Sequence, residues 1–591
     1  AASDVYKRQA IAVAALGLAS CSDDFLRNEP QGPLSEANIN DPKAADLLVT
    51  GAYATFGCRY ADSNDPHFYS ITNWSHGEVR ADNAYKGGGG ETDIWEFHDM
   101  ETAKLKPNNG LLDGKWFNVY CGISRCNSAI RALRKVDESV NKNIKTRIAE
   151  VSVIRSFWYF DLVRQFKKIP YMEIDLPESE YCNVRNDVYT REQHLERIAG
   201  ELMAAANDLP DYQPEIGRIN RRAALALAAK VKLYQAYEED PATNAVVNIN
   251  KKLLQEVVDI IDQIQGYDLL ADFQQLDLLE YENGPESVLA VQFSKDDGSD
   301  GVGRINWGNL LNSMTGPGCP WQGDGFFLPS QDLINAYQTD ENGLPLFDYQ
   351  SRPDYGVVTF DPDGSYHLAN VDGNVDPRLD FVTGRPTITY KTYKGSPCGL
   401  WVRNSDTYGY NNTKRFWLSP ESPDAQQGWP WGASALNWQL IRYADLLLYK
   451  AEALIEIGGA GLEEARTLIN RVRSRAMNSQ YVKDFNDPTK DAANYKIGLY
   501  PATGWTQEYA RKALRTEMRL EKAMEGERFY DLVRWGIAKE TMNNYFAAER
   551  DNRMYYQNAS FETGEEYFAI PTAQYNFSGG IYTQNPGYPG F

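Results

Sequence analysis

From residue 440 onward the chain places an apolar residue at every third or fourth position: Leu440, Ala444, Leu447, Ala451 and Leu454. Gly458-Gly459 then interrupts the pattern before it resumes at Leu462, Ala465, Leu468, Ile469, Val472 and Ala476. This spacing puts the apolar side chains on one helix face, and two such helices joined at a pair of glycines form an antiparallel hairpin whose stripes need a partner. A second hairpin is expected over 507–545, broken at Gly526, and a third from 223–237 with 251–264. Further helices are expected at 44–56, 116–136 and 144–166. Helical hairpins recurring at roughly 34 residues are the pattern of tetratricopeptide-type arrays, in which each unit buries its apolar face by stacking on the next. The expected fold class is mostly α: a tetratricopeptide-like helical-hairpin scaffold over 39–265 and 437–545.

Residues 266–436 differ in kind. They are rich in Gly, Pro, Asp, Asn and aromatic residues, carry helical spacing mainly at 330–338, and read as a long loop-rich insertion. A similar loop-rich patch covers 58–111. Aromatic residues make up 12% of the chain, with 37 Tyr and 13 Trp, and several Trp stand in Gly- and Asn-rich loops that no helical stripe buries. A sugar-binding surface needs a flat ring for the apolar face of a pyranose and planar amide, carboxylate or guanidinium groups for its hydroxyls. Two segments supply both. One holds Asn73, Trp74, Arg80, Asp82 and, further on, Trp95; the other holds Asn306, Trp307 and Trp321. The competing reading of each Trp is a core residue that packs its loop onto the helices. Lys86 to Glu91 encloses four glycines but lacks the Gly-Lys-Ser/Thr ending of a phosphate loop, and Asp361-Pro362-Asp363-Gly364 lacks the ligand spacing of a calcium loop.

The amino-terminal end sets the compartment. Lys7 and Arg8 precede the apolar run from Ala10 to Leu18, which is too short to cross a bilayer and fits an export signal. The run ends Leu18-Ala19-Ser20-Cys21, which resembles a bacterial lipobox, so residues 1–20 are expected to be removed and Cys21 acylated. Acyl chains on Cys21 would then hold the protein on a membrane without a spanning segment. The formal charge of −21, from 60 basic and 81 acidic residues, disfavours nucleic acid, whose binding depends on neutralising phosphates. Cys58, Cys121, Cys126, Cys182, Cys319 and Cys398 are scattered, and the five histidines form no His-Glu-x-x-His pattern. Neither a metal nor another cofactor is expected, and Cys121 and Cys126 are expected as thiols rather than as a bridge.

The run from Leu514 to Trp535, which passes through Glu525-Gly526 into Arg528-Phe529-Tyr530-Asp531-Leu532-Val533-Arg534-Trp535, resembles the SusD/RagB family of Bacteroidetes outer-membrane lipoproteins. Further support comes from Ile441-Arg442-Tyr443-Ala444-Asp445, Ile469-Asn470-Arg471-Val472-Arg473, Ile570-Pro571 and Gln584-Asn585-Pro586-Gly587-Tyr588, in that order along the chain. Gly217-Arg218-Ile219-Asn220 departs from the family, which more often has Ala-Thr after Gly-Arg. The resemblance implies one SusD-like α/α superhelical domain over 21–591. It implies a surface lipoprotein that binds an oligosaccharide and caps a SusC-like TonB-dependent transporter as its lid. Ser22-Asp23-Asp24 after the anchor resembles the family's surface-export signal. Two alternatives stand beside this: a peptide-capturing relative of the same fold, and a helical glycoside hydrolase built on a carboxylate pair. Arg528, Asp531 and Arg534, three residues apart with Glu521 and Glu525 nearby, read as an ion-pair network that locks helices, not as catalytic groups.

Overall fold

A computed structural model describes residues 42–57, 66–298, 303–391 and 396–590; the expected signal segment, the Cys21 anchor and Cys58 lie outside the described residues. Eleven helices carry the scaffold: α1 (Pro42–Tyr53), α2 (Gly110–Leu133), α3 (Ile144–Phe166), α4 (Arg191–Asp208), α5 (Arg221–Ala236), α6 (Lys251–Ile261), α7 (Tyr443–Ile457), α8 (Gly461–Asn478), α9 (Gln507–Glu521), α10 (Arg528–Arg534) and α11 (Ala538–Glu549). Each of α2 to α6 packs on the next, α7 packs on α6 and α8, and α9 packs on α7 and α8. The scaffold is thus a tetratricopeptide-like stack. The chain leaves it after α6, runs through the insertion, and returns at α7 beside the helix it left.

The caps explain most boundaries. Asn220, Asn250 and Thr506 accept backbone N–H groups at the starts of α5, α6 and α9, and Gly458 ends α7 at φ 82°. α4 was not among the expected helices, although Thr190 and Gln193 close a reciprocal capping box at its start and Leu195, Ile198 and Leu202 line its buried face. Residues 438–442 are not helical as the 440-onward spacing implied. Six strands matter here: β1 (Ala84–Gly87), β2 (Ser287–Val291), β3 (Phe326–Pro329), β4 (Val357–Phe360), β5 (Tyr366–Ala369) and β6 (Trp438–Arg442). β6 pairs antiparallel with β2, which delays the helix to Tyr443, and the span 507–545 divides into three helices rather than two. Asp361 to Gly364 is the tight turn of the β4–β5 hairpin.

One contiguous apolar core runs from Ala45 on α1 to Tyr582 near the carboxyl end, and a smaller aromatic cluster of Met314, Trp321, Tyr390, Cys398, Trp401 and Trp417 sits within the insertion. Cys121, Cys126, Cys182, Cys319 and Cys398 are free thiols. No described helix is long and apolar enough to cross a membrane.

A buried charge lattice joins insertion to scaffold. Arg378, in the insertion, grips Asp376 through two nitrogens and reaches Glu517 at 2.6 Å and Glu521 at 3.0 Å on α9. Arg473 on α8 takes the other Glu517 oxygen at 2.8 Å. Arg442, which precedes α7, reaches Glu521 at 2.7 Å, Glu286 at 2.9 Å and Glu525 at 3.0 Å, and Arg475 also reaches Glu286 and Glu521. Arg415 bridges Glu525 to Asp277. The expected network exists with different pairings: Arg534 meets Asp531 and Glu452, whereas Arg528 leaves α10 for Asp82. Burial by itself would raise the Glu521 carboxyl, but Arg475, Arg442 and Arg378 overcome it and bring it to about 2. Removing one member of such a lattice leaves several buried charges unpaired. Glu521→Ala is therefore expected to cost about 3–5 kcal/mol in denaturant unfolding, whereas Asp348→Ala, which breaks the exposed Arg352 pair, should leave the midpoint unchanged.

Candidate functional site

The early segment turns out to be a foundation rather than a surface. Asn73 adopts a left-handed backbone at φ 47° and opens a wide helical turn, Trp74–Val79. Trp74 is 0% exposed; its indole donates to Gly308 O at 3.0 Å, and its ring packs against Phe97, Phe326 and Phe327. Asn73 donates to Asp161 and accepts from Lys115. Arg80 lies between the Phe529 and Phe568 rings, 4.1 and 3.8 Å from their centres, and burial brings its guanidinium down to about 10. Asp82 receives Arg528 through two hydrogen bonds, at 2.8 and 2.9 Å; despite the burial that would raise it, Arg519 and Arg528 hold it well below the usual carboxylate range. The expectation that Asn73, Trp74, Arg80 and Asp82 face a ligand is corrected on this ground: each is enclosed, and the hydrogen bonds it makes run to the protein's own atoms.

These residues hold the scaffold to the loops. Glu78 accepts the backbone N–H groups of Gly526 and Glu527 at 2.7 and 3.0 Å. The two backbones approach so closely that a Cβ on Gly77 would collide with the Gly526 carbonyl, and one on Gly526, at φ 83°, with that of Thr72. The Glu-Gly of the late motif therefore serves a close backbone crossing. β1 then pairs with β3, bringing the two loop-rich patches of the sequence side by side.

The exposed groups begin where that pairing ends. Trp95, which starts the short helix Trp95–Glu101, is 48% exposed. Two residues before it, Asp93 meets Arg403 at 3.2 Å, and Arg403 lies 3.9 Å from Asp324. Burial pushes the Asp324 carboxyl up, with Arg403 opposing and Asp93 adding to it. A guanidinium thus stands between two carboxylates, an arrangement that offers planar donors and acceptors to hydroxyls. Trp321 is buried, not exposed: its indole donates to Leu418 O at 3.1 Å and its ring meets Tyr390 and Trp401. The same cluster contains Trp417, whose ring abuts Gly432.

Gly432 belongs to a projecting loop that the sequence reading passed over. Ala425 pairs with Ser434, Gln426 N–H donates to Ala433 O at 2.8 Å, and the tip carries Trp429, 57% exposed, with Trp431 half-buried beside it. Its signal was visible as Gly428-Trp429-Pro430-Trp431-Gly432, two indoles within a turn. Trp307 is half-buried, in a turn that packs on the segment Pro66–Tyr69, and Asn306 is buried beneath the projecting loop. The groups that reach solvent are Trp95, Asp93, Arg403 and Asp324, and Trp429 with Trp431 on the projecting loop, while the aromatic cluster of the insertion is buried. Among the described residues no group of His, Cys, Asp and Glu is arranged to hold a metal ion.

The fold is that of a tetratricopeptide-like helical stack that carries a loop-rich insertion. A family model described as "SusD family" matches residues 285–588, and a second, "Starch-binding associating with outer membrane", matches residues 68–233; the chain belongs to the SusD family. "SusD-like protein P2" of Formosa agariphila is 23% identical over 97% of this chain and 98% of its own length. A solved "Laminarin binding SusD-like protein" superposes with a TM-score of 0.62 at 22% identity, covering 93% of this chain and 100% of that one. Surface glycan-binding protein A from Bacteroides thetaiotaomicron, solved with laminarihexaose, gives 0.61 at 19% identity over 92% and 99%.

The foundation also sets a pH profile. Burial brings Glu78, Glu101 and Glu549 to about 7. The folded state then holds more protons than the unfolded one between ~4.5 and 7, and stability falls as pH rises through that window. Burial brings His98 and His194 down to about 4, so they remove stability as pH falls from ~6.5. Against the cost of burial, Arg164, Lys230 and Lys522 bring Glu527 to about 2, as the guanidiniums do Glu521, and both lose their contribution below ~4.5. The melting temperature is expected to fall as pH rises from ~4.5 to 7, where three carboxyls outweigh two imidazoles, most steeply from ~6.5 to 7 once the imidazoles no longer oppose them, to level off above ~7.5, and to drop steeply below ~4. A steady rise from pH 5 to 8 would contradict these assignments.

Proposed function

We propose that this chain is a cell-surface lipoprotein, anchored at Cys21, that captures oligosaccharides on the Trp95-to-Trp429 face and passes them to a SusC-like TonB-dependent transporter, over which it acts as a lid. Residues 21–591 form the single SusD-like domain of this reading. The observation that carries it is the Trp429–Trp431 tip: two indoles on a hydrogen-bonded loop, above a solid aromatic cluster and beside the Arg403 carboxylate pair. An exposed Trp on a loop closed by its own hydrogen bonds offers stacking area at little entropic cost. On this reading the face binds without breaking bonds.

The relatives named for laminarin and starch make those two polymers the first probes. Affinity electrophoresis of residues 22–591 in gels containing laminarin or starch, with a peptide control, is expected to show retardation by a polysaccharide. Trp429→Ala with Trp431→Ala should weaken it at least ~10-fold, the scale of one or two lost ring contacts. Incubation with either polymer should release no new reducing ends. Retention of peptide alone, or undiminished glycan retention by the double variant, would reject this face.

A further inference from the structure

Beneath the Trp429 tip the protein encloses polar atoms that it does not pair. Asn306 Oδ1, Asn312 Oδ1, Ser313 Oγ and Trp417 Nε1 have no hydrogen-bond partner among the described residues, and all four side chains are at most 4% exposed. Buried polar groups in folded proteins are nearly always satisfied, so a local concentration of orphans calls for a specific cause. Three of them, Asn306, Ser313 and Trp417, meet the projecting loop. Asn306 N–H donates to Ser434 O at 3.0 Å. Gly432 sits so close to the floor that a Cβ there would lie 2.8 Å from Ser313 Cβ and 2.7 Å from the Trp417 ring. Under the loop is a recess lined by Asn306, Asn309, Ser434, Asn437 and Trp438, with room for a water molecule and no more while the loop is down.

The orphans form a matched set. The Asn306 amide oxygen accepts, the Trp417 indole N–H donates and the Ser313 hydroxyl does either, and Trp438 brings apolar ring area to the recess. A sugar hydroxyl both donates and accepts, and a pyranose has an apolar face, so these groups suit one sugar ring better than an ion or a purely apolar ligand. The loop is built to move as a unit. Its base is closed by Gln426 N–H to Ala433 O and Ala435 N–H to Asp424 O, while Gly428 and Gly432, at φ 85° and 72°, mark its two bends.

We propose that residues 426–434 are a cover that lifts to admit one ring of the bound glycan onto Asn306, Ser313 and Trp417, giving a buried subsite continuous with the exposed tryptophan tip. This inference rests on the glycan-binding reading above and adds to it which hydroxyl-recognising groups the ligand meets. A population with the cover lifted exists without ligand, and glycan selects it.

The test removes the unpaired groups without touching the loop. In the double variant Asn306→Leu with Trp417→Phe the orphan acceptor and donor are lost while apolar volume stays beneath the cover. Binding is measured by affinity electrophoresis on laminarin and starch. The variant is expected to bind about 10-fold more weakly than the wild type, the scale of two lost hydrogen bonds, with no fall in melting temperature, because neither removed group has a partner in the protein. Binding equal to that of the wild type means that the recess holds water only and overturns the cover, while leaving the surface reading intact. Loss of all binding by the wild type would sink that reading instead. A second measurement needs no variant and no ligand: hydrogen exchange at the amide of Asn306, whose acceptor Ser434 O lies on the loop, should be much faster than at Gly88 and Ser330 in the adjoining β1–β3 framework. Protection equal to that of the framework overturns the cover whatever the glycan does.

Discussion

The carboxylates that end α9 hold the two halves of this protein in register. Glu517 and Glu521, with Glu525 just beyond, receive guanidinium groups from both sides: Arg442, Arg473 and Arg475 from the helical stack, Arg378 and Arg415 from the insertion. In an interior of low dielectric these charges are tolerable only together, since each one left alone would carry a large desolvation cost. The lattice specifies geometry as much as it stabilises. Bidentate and shared contacts fix where the insertion returns to the scaffold, and a helix register shifted by one residue would leave most of them unmade.

From that seam the order of the molecule can be followed outward to its surface. Glu78 receives the backbone of Gly526 and Glu527, just after the last carboxylate of the lattice, and Asp82 receives Arg519 and Arg528. Those contacts fix β1, β1 fixes β3, and β3 carries the chain from Trp321 and Asp324 into the buried layer. The aromatic cluster of the insertion then supports the loop that presents Trp429. A binding face assembled in this way is made of loops, yet it starts from a rigid base, which is how a surface of modest area keeps its rings and polar groups in place before a ligand arrives.

The scaffold was legible because helix spacing and caps are local. Leu440 to Ala476 declared a hairpin, and Gly526 declared a break, from a few residues' pattern alone. α4 was less legible, because Arg191, Glu192, Gln193 and Glu196 dilute its stripe and its capping box needs the partner pattern to be noticed. The site was read less well for a physical reason. Trp74 and Trp429 are both indoles in Asn-, Gly- or Pro-bearing loops, and nothing near Trp74 in sequence announces Gly308, Phe97 and Phe327 around it. Burial is decided by distant segments, so the densest polar and aromatic stretch, 73 to 83, proved to be the place where the chain binds itself. Arg528 shows the same limit: its spacing from Asp531 suited an intrahelical pair, but Asp82, far earlier in the chain, takes it.

The central claim is that the glycan lies on the insertion's tryptophan face and not against the early Trp74 segment. A crystal structure of residues 22–591 with a hexasaccharide of the most strongly retained polymer tests this directly. The account predicts sugar density stacked on Trp429 or Trp431 with hydroxyls within hydrogen-bond distance of Arg403 or Asp324, and Trp74 still enclosed by Phe97 and Phe327. Sugar bound elsewhere on the molecule, with Trp429 and Trp431 bare, would contradict it.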